Sequence, residues 1–444
     1  MQTADTLQAR IEHGKERRAV LGRLALGDWK TSDRKSNPLE LLKRADAGKL
    51  SKLLPTKYER MSLSPFTFFR GSVAIMADDL ASGPSTGIVT QICGDAHVRN
   101  LGFYEAADGR VVFDLNDFDE TIEGPFEWDI KRLATSLVLA GREAGNRDGV
   151  CKESVHSFLF TYRRMMKRFS AMPVLDVARY QVHRFLNSSP ISRALAAARH
   201  LTPVRTLRQL VSLEKNGSTR LTEVPGETWR TSPRTRREVL ASIQAYQGTL
   251  NPEHQHLLRF YTFHDVAFRI VGTGSVGTRD YLILMFGNGG NDPVFLQVKE
   301  EGASAYAKYL AQAEKLANQG MRVAQGQRRI QSQCDPLLGW TSLGGRDYLV
   351  RQFKDHKAGI DITLLKGEAL LQSAQLFGEV LAKGHARSGD PGVIWGYCGD
   401  SDKMDTGIQQ FAARYADEVT KDFERFKKDK RFPRVQAKRA RAGQ

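Results

Sequence analysis

Apolar and polar positions change period several times along this chain, and each change predicts an element boundary. Residues 1 to about 60 alternate charged and apolar positions, broken by Gly14, Gly22, Gly27 and Gly48, which predicts a set of short surface helices. Ser64-Pro65 then opens FTFFRGSVAIMADDL, a helical pattern with proline near its first turn. From Ile88 the period shortens. GIVTQICGDAHVRNLGFYEAADGRVVFDLNDFDE reads as strand, loop, strand, a hairpin turn at Asp108-Gly109, strand and an acidic cluster. Residues 125 to about 260 are mainly helical in pattern, interrupted by a Ser/Thr/Pro/Arg-rich stretch around 200–238. DVAFRIVG, RDYLILMF and PVFLQVKE read as strands, a long helix follows from about Ala303, and DYLVRQF is a further strand. From Leu364 the pattern is helical again until a basic tail. No internal repeat is visible.

Composition narrows the class. Of 444 residues, 41 % are apolar before glycine is counted, enough for a sizeable core and too many for wholesale disorder. No apolar run approaches the roughly 20 residues that cross a bilayer. The opening MQTADTLQARIEHGKERRAV carries charges where a signal peptide is apolar. The expectation is a soluble, cytoplasmic protein with no membrane span. Cys93, Cys151, Cys334 and Cys398 are scattered without a CxxC pair, as buried free thiols are. The 66 Lys+Arg against 50 Asp+Glu leave a net charge of +16, which points to anionic partners.

The densest chemistry lies between Cys93 and Glu120. Gly94-Asp95-Ala96-His97-Val98-Arg99-Asn100 places a carboxylate, an imidazole and a carboxamide in one loop, and Asn116-Asp117-Phe118-Asp119-Glu120 follows across the hairpin. A hairpin of that length brings its ends together, so Asp95, Asn100 and Asp117 can converge. Such oxygen ligands, few enough to leave room for phosphate oxygens and water, suit Mg²⁺. A remaining carboxylate can accept a proton from an attacking hydroxyl. Capping of turns by an Asp-rich loop is the plain alternative. Asp95-Ala96-His97 also matches the opening of a metallophosphoesterase, but the chain has no Gly-Asn-His to continue it.

Gly272-Thr273-Gly274-Ser275-Val276-Gly277 is a GxGxxG, a weak signal by itself because dinucleotide-binding domains use it too. Here it lies between two strand-like segments rather than at the start of a helix. A glycine loop joining antiparallel strands covers phosphates with backbone N–H groups. The next strand carries Lys299, placed to reach the α- and β-phosphates. Glu314 on the following segment is a candidate ion-pair partner for the lysine, and Gln325 and Gln327 are others.

These pieces resemble the protein-kinase-like superfamily, in particular the aminoglycoside and choline phosphotransferases, whose catalytic loop reads His-Gly-Asp-x-His-x-x-Asn. Cys93 stands here in place of the first histidine. Carried over by position, the resemblance implies that Asp95 is the catalytic base, that His97 braces the loop, and that Asn100 and Asp117 hold Mg²⁺ with Asp119 assisting. It implies that Gly272, Gly274, Ser275 and Gly277 cover the triphosphate of ATP and that Lys299 orients it. Trp128-Asp129-Ile130-Lys131-Arg132-Leu133-Ala134 is similar to a helix start whose aspartate, here Asp129, ties down the catalytic-loop backbone. The usual order is glycine loop, lysine, helix, linker strand, catalytic loop and metal Asp; this chain gives the last two first. The fold class expected is therefore α+β, a two-lobed kinase-like fold in circular permutation. Loop-closure entropy grows only slowly with length, so such reconnection costs little.

The corresponding units are an N-terminal helical extension (1–60), a catalytic-loop and helical lobe (61–260), and a small nucleotide-binding lobe (261–356). C-terminal helices (357–426) complete the large lobe, and a basic tail (427–444) ends the chain. Over most of its length the chain also resembles one bacterial family of proteins of unknown function, through SPFTFFRGSVAIMADDL, QICGDAHVRNLGF, NQGMRVAQGQRRIQ and LAKGHARSGD.

The leading expectation is an ATP- and Mg²⁺-dependent phosphotransferase acting on a hydroxyl-bearing small molecule or protein. Nucleotidyl transfer, or ATP binding without turnover, is the second reading. Nucleic-acid binding through the tail KKDKRFPRVQAKRARAG and the basic stretch around 200–238 is the third, with charge but no motif behind it. Two further residues stay open between roles, Arg70 (facing phosphate or bracing the acidic cluster) and Arg99 (substrate contact or solvated), and His385 is read as structural.

Overall fold

The computed structural model describes residues 6–182, 189–213, 219–270, 272, 274, 276–311, 317–353 and 357–434. Its architecture is α+β. The acidic segment is framed by four strands, β1 (Val89–Ile92), β2 (Leu101–Glu105), β3 (Val111–Leu115) and β4 (Ile122–Pro125). The β2–β3 hairpin turns at Gly109, which takes the left-handed conformation, and sets Leu101 opposite Leu115. Outside it, β1 pairs with β4 and sets Ile92 opposite Ile122. Two nested antiparallel ladders thus close both loops, and the amide of Asn116 donates to the carbonyl of Asn100 at 3.0 Å.

Beyond a short ladder of β5 (Val211–Leu213) and β6 (Thr219–Leu221), six strands build the main sheet. They are β7 (Thr228–Arg230), β8 (Thr262–Arg269), β9 (Asp280–Phe286), β10 (Pro293–Glu301), β11 (Gly339–Leu343) and β12 (Arg346–Gln352). The spatial order is β11-β12-β10-β9-β8-β7, antiparallel throughout. Alternation along β9 sends Tyr281, Ile283 and Met285 to one face and Leu282, Leu284 and Phe286 to the other. Helix Pro233–Gln247 covers the first face through Val239, Ile243 and Tyr246. Helix Pro203–Leu210 lies against the second through Leu207 and Leu210. A sheet buried on both faces accounts for the unbroken apolar run in RDYLILMF. A last short strand, β13 (Ala358–Gly359), pairs with β2.

The largest core joins helices Phe126–Glu143, Asp148–Ala171, Glu368–Ser388 and Lys403–Lys428. The first 60 residues belong to it as well. They form short helices, as their pattern predicts, but not on the surface: Leu26 and Leu42 are 1 % exposed. Arg34 fixes this extension by forking onto Asp79 at 2.8 Å and reaching Asp422 at 2.7 Å, all three nearly water-free.

Two expected helices change form. The segment from Pro65 is two helices, Pro65–Gly71 and Val73–Ala81. They part at Ser72, whose hydroxyl donates to the carbonyl of Phe68 at 2.8 Å. In place of a long helix from Ala303 there is a 3-10 turn, Ala307–Tyr309, and then a helix Gln319–Ile330. Glu120 accepts from the Ser304 hydroxyl through its carbonyl at 2.9 Å and from the Ala305 amide through its carboxylate at 2.6 Å, and Asn318 caps the later helix by accepting from the amide of Met321.

Candidate active site

The Cys93–Asn100 loop is fixed by its backbone. Gly94 takes φ +79°, and a Cβ there would meet the carbonyl oxygen of Glu120 at 2.2 Å, so only glycine brings the two loops this close. Asp129, in the first turn of helix Phe126–Glu143, accepts from the amides of Cys93 at 2.8 Å and Gly94 at 2.9 Å. Behind it stand His385, whose Nε2 lies 3.4 Å from Asp129 Oδ2, and Tyr162, whose hydroxyl meets His385 Nδ1 at 2.8 Å. The tying role expected of Asp129 is present in these bonds. His385, structural by position in sequence, acts on the same loop.

Asp95 projects from this loop. Arg132, one helical turn after Asp129 and on the same face, donates from Nε to Asp95 Oδ1 at 2.6 Å. The guanidinium is wholly buried, packed over the ring of Phe69 and bonded to its carbonyl. Asn100 donates from its amide to the backbone carbonyl of Asp95 at 3.0 Å. Nε2 of His97 lies 3.6 Å from Asp95 Oδ2. Burial pushes the Asp95 carboxyl up to about 6 against the pull of Arg132. Burial, with Arg70 and Arg132 nearby, holds His97 neutral, well below the ordinary imidazole range.

The second acidic loop meets the sheet. The ammonium of Lys299 on β10 contacts the carboxylate of Asp119, 180 residues earlier in the chain, and lies 3.5 Å from Glu301. Despite its burial Asp119 is held below the usual carboxylate range, chiefly by Lys299. Burial and the Asp119 charge raise Glu301 to about 8. Asp117 lies beside Asp119. One oxygen of each, Oδ1 in both, is buried without a hydrogen-bond partner among the described residues. From helix Gln319–Ile330, Arg322 donates to the carbonyls of Thr121 at 2.6 Å, Asp119 at 2.7 Å and Gly302 at 2.9 Å, fastening the acidic loop to the end of β10.

The glycine segment links the antiparallel neighbours β8 and β9. Its backbone is held by the N-terminal extension: the amide of Leu50 donates to the carbonyl of Gly277 at 2.7 Å, and Arg60 donates to that of Gly272. A cleft of about 930 Å³ is lined by Asp95, His97, Asn100, Asp117 and Asp119, and also by Gly272, Gly274 and Lys299. The chain therefore brings these eight residues of its two motif regions to one space. Ser275 and Glu314 lie outside the described residues. Gln327 bonds Gln331 at 2.9 Å and Gln325 is exposed; neither pairs with Lys299, whose partners are Asp119 and Glu301.

Sequence reasoning missed Arg132 and Arg322 as site-forming residues. Their segments stood out, but nothing in one helix shows which carboxylate or carbonyl a buried arginine will reach. Arg99 donates to the carbonyl of Ile360 at 3.3 Å. Among the described residues no three His, Cys, Asp or Glu side chains are grouped to hold a metal, and no helix is long and apolar enough to cross a membrane. All four cysteines are free; Cys93, Cys151 and Cys398 are buried and Cys334 is half-buried.

Compared with known protein families, residues 49–429 match the family described as uncharacterized protein conserved in bacteria (DUF2252). No curated protein and no solved structure matches the chain.

Proposed function

The chain belongs to the bacterial DUF2252 family, and we propose that it is an ATP- and Mg²⁺-dependent phosphotransferase with a two-lobed, kinase-like, circularly permuted fold. Its acceptor carries a hydroxyl group. One observation carries the reading: Lys299, beside the glycine segment, shares a cleft with Asp95 and meets Asp119 from 180 residues away. The order glycine segment, Lys299 strand, helix Gln319–Ile330 and strand β12 also follows the kinase small lobe, with the catalytic-loop region placed before it.

The buried, unpartnered oxygens of Asp117 and Asp119 fit a divalent cation. Lys299 offsets the charge of Asp119 but leaves Oδ1 of both carboxylates unpartnered, and three such side chains are not needed when phosphate and water complete the shell. Asp117 and Asn100 would hold Mg²⁺ with Asp119 beside them, and the ion supplies neutralisation of phosphate charge when bound. The backbone N–H groups of Gly272 and Gly274 would cover the phosphates, and Lys299 would exchange Asp119 for phosphate oxygens. Asp95, held by Arg132, accepts the acceptor's hydroxyl proton. That oxygen bonds to the γ-phosphorus as the bond to the ADP oxygen breaks, and ADP leaves. Positioning and charge do most of this work.

Calorimetric titration with Mg²⁺ and a non-hydrolysable ATP analogue tests the nucleotide site. Binding that needs the metal and weakens by about tenfold or more in Lys299→Met is expected, since a charge-assisted contact is lost. A folded wild-type protein that binds no nucleotide overturns the proposal.

A further inference from the structure

The cleft carries basic side chains as well as the acidic ones already described. Several come from the N-terminal extension, where residues 38–60 hold six Lys or Arg against three Asp or Glu. Arg44, Lys49, Lys57 and Arg70 all line the cleft. Asp46 is the carboxylate among them: it takes the ammonium of Lys57 at 2.5 Å, that of Lys49 at 3.0 Å and the hydroxyl of Tyr58 at 2.9 Å. Burial beside Lys49 lowers Lys57 to about 7, so Lys57 carries only part of a charge near neutral pH, and the standing positive charge of this side comes from Arg44 and Arg70, with Lys49 offset by Asp46.

Arg70 is the sharper observation. It lies in helix Pro65–Gly71, and its carbonyl is 3.7 Å from where a Gly274 side chain would begin. Its Nε is buried without a hydrogen-bond partner among the described residues. Asp95 and Asp117 attract it at longer range while Arg99 repels it. A guanidinium kept partly out of water without a paired oxygen costs stability, and its planar fork suits phosphate oxygens. Arg10, Arg269 and Arg434 also leave Nε unpartnered, but each bonds through another guanidinium nitrogen, to Asp390, Thr228 and the Phe426 carbonyl. Among the described residues the Arg70 guanidinium has no hydrogen bond or ion pair.

We propose that Arg70, with Lys49 and Arg44 lining the same cleft, is an anion subsite for the acceptor, and that the acceptor is a phosphate monoester bearing a free hydroxyl. The assignment to the acceptor rests on the phosphotransferase reading; the anion subsite itself does not. Arg70 holds the acceptor's existing phosphate while Asp95 faces its hydroxyl.

The test is calorimetric titration of glycerol 3-phosphate, with glycerol as control, into the full chain saturated with Mg²⁺ and the non-hydrolysable ATP analogue. Glycerol 3-phosphate is expected to bind the loaded protein and glycerol is not. Arg70→Gln should weaken the phosphate ester by about tenfold or more, the loss of a charge-assisted contact, while nucleotide affinity stays within about twofold. Arg44→Gln, at an exposed position, should show a smaller loss in the same direction and checks against misfolding of the first variant. No binding of the ester to loaded protein overturns the proposal, as does an Arg70→Gln defect confined to the nucleotide. If the nucleotide does not bind but the ester binds through Arg70, the phosphotransferase reading falls and the anion subsite stands.

Discussion

Arg132 donates from Nε to Oδ1 of Asp95 at 2.6 Å, and its guanidinium has no route out of the core. The contact sets one oxygen of Asp95; in the proposed reaction the other takes the substrate proton. Arg132→Lys keeps the charge but not the fork. It should lower kcat by about 100-fold, the scale of a misplaced catalytic group, with little change in the KM for ATP. Arg132→Met strands a buried carboxylate and should cost about 3–5 kcal/mol of stability. Steady-state kinetics and urea denaturation separate the two effects.

The raised Asp95 predicts a pH dependence. In the proposed reaction Asp95 is the base, and it is protonated below about 6, so turnover should rise as pH climbs through that value and then level. Stability runs the other way. The native state keeps a proton on Asp95 that the unfolded chain releases near 3.8, so stability falls as pH rises between about 4 and 6. Rate profiles and thermal melts across this range should show both slopes, and Asp95→Asn should flatten its share of the second.

Asp129 satisfies two buried amides at once. Asp129→Ala leaves both unmet at about 1–3 kcal/mol each and should loosen the loop enough to abolish turnover. His385→Ala removes only the outer support and should cost less of both. Chemical denaturation with activity assays orders the two variants, and equal losses would contradict the layered arrangement.

Lys383 and Asp114 form an ion pair with neither side chain exposed to water. Breaking it from one side, as in Asp114→Ala, should cost about 3–5 kcal/mol, whereas replacing both by apolar residues should recover most of that. A double-mutant cycle measures the difference.

Much of the site was legible in the sequence because its geometry is local. The span from Asp95 to Asp117 is one hairpin with flanking strands, and alternation plus the Asp108-Gly109 turn fix its register. Gly94 and Asp129 could be read from their motif positions. What was not legible depends on long-range packing. Arg322 reaches Thr121 from 201 residues away, and the Trp29 and Leu42 side chains enter a core built mostly by later helices. The charged-apolar alternation of the extension looks the same whether its apolar face meets that core or lies on the surface. The Lys299 partner was sought on the following helix, but the ammonium goes to Asp119, a pairing that appears only when the two regions are folded together.

The most direct test of the central claim is transfer from isotopically γ-labelled ATP, with Mg²⁺, to a panel of hydroxyl-bearing acceptors that includes phosphate monoesters, followed by mass spectrometry of the products. The account predicts label on an acceptor with matching ADP, dependent on Mg²⁺ and lost in folded Asp95→Asn and Asp117→Asn proteins. Label transfer undiminished in either variant, or an acceptor that gains AMP with release of pyrophosphate, would contradict it.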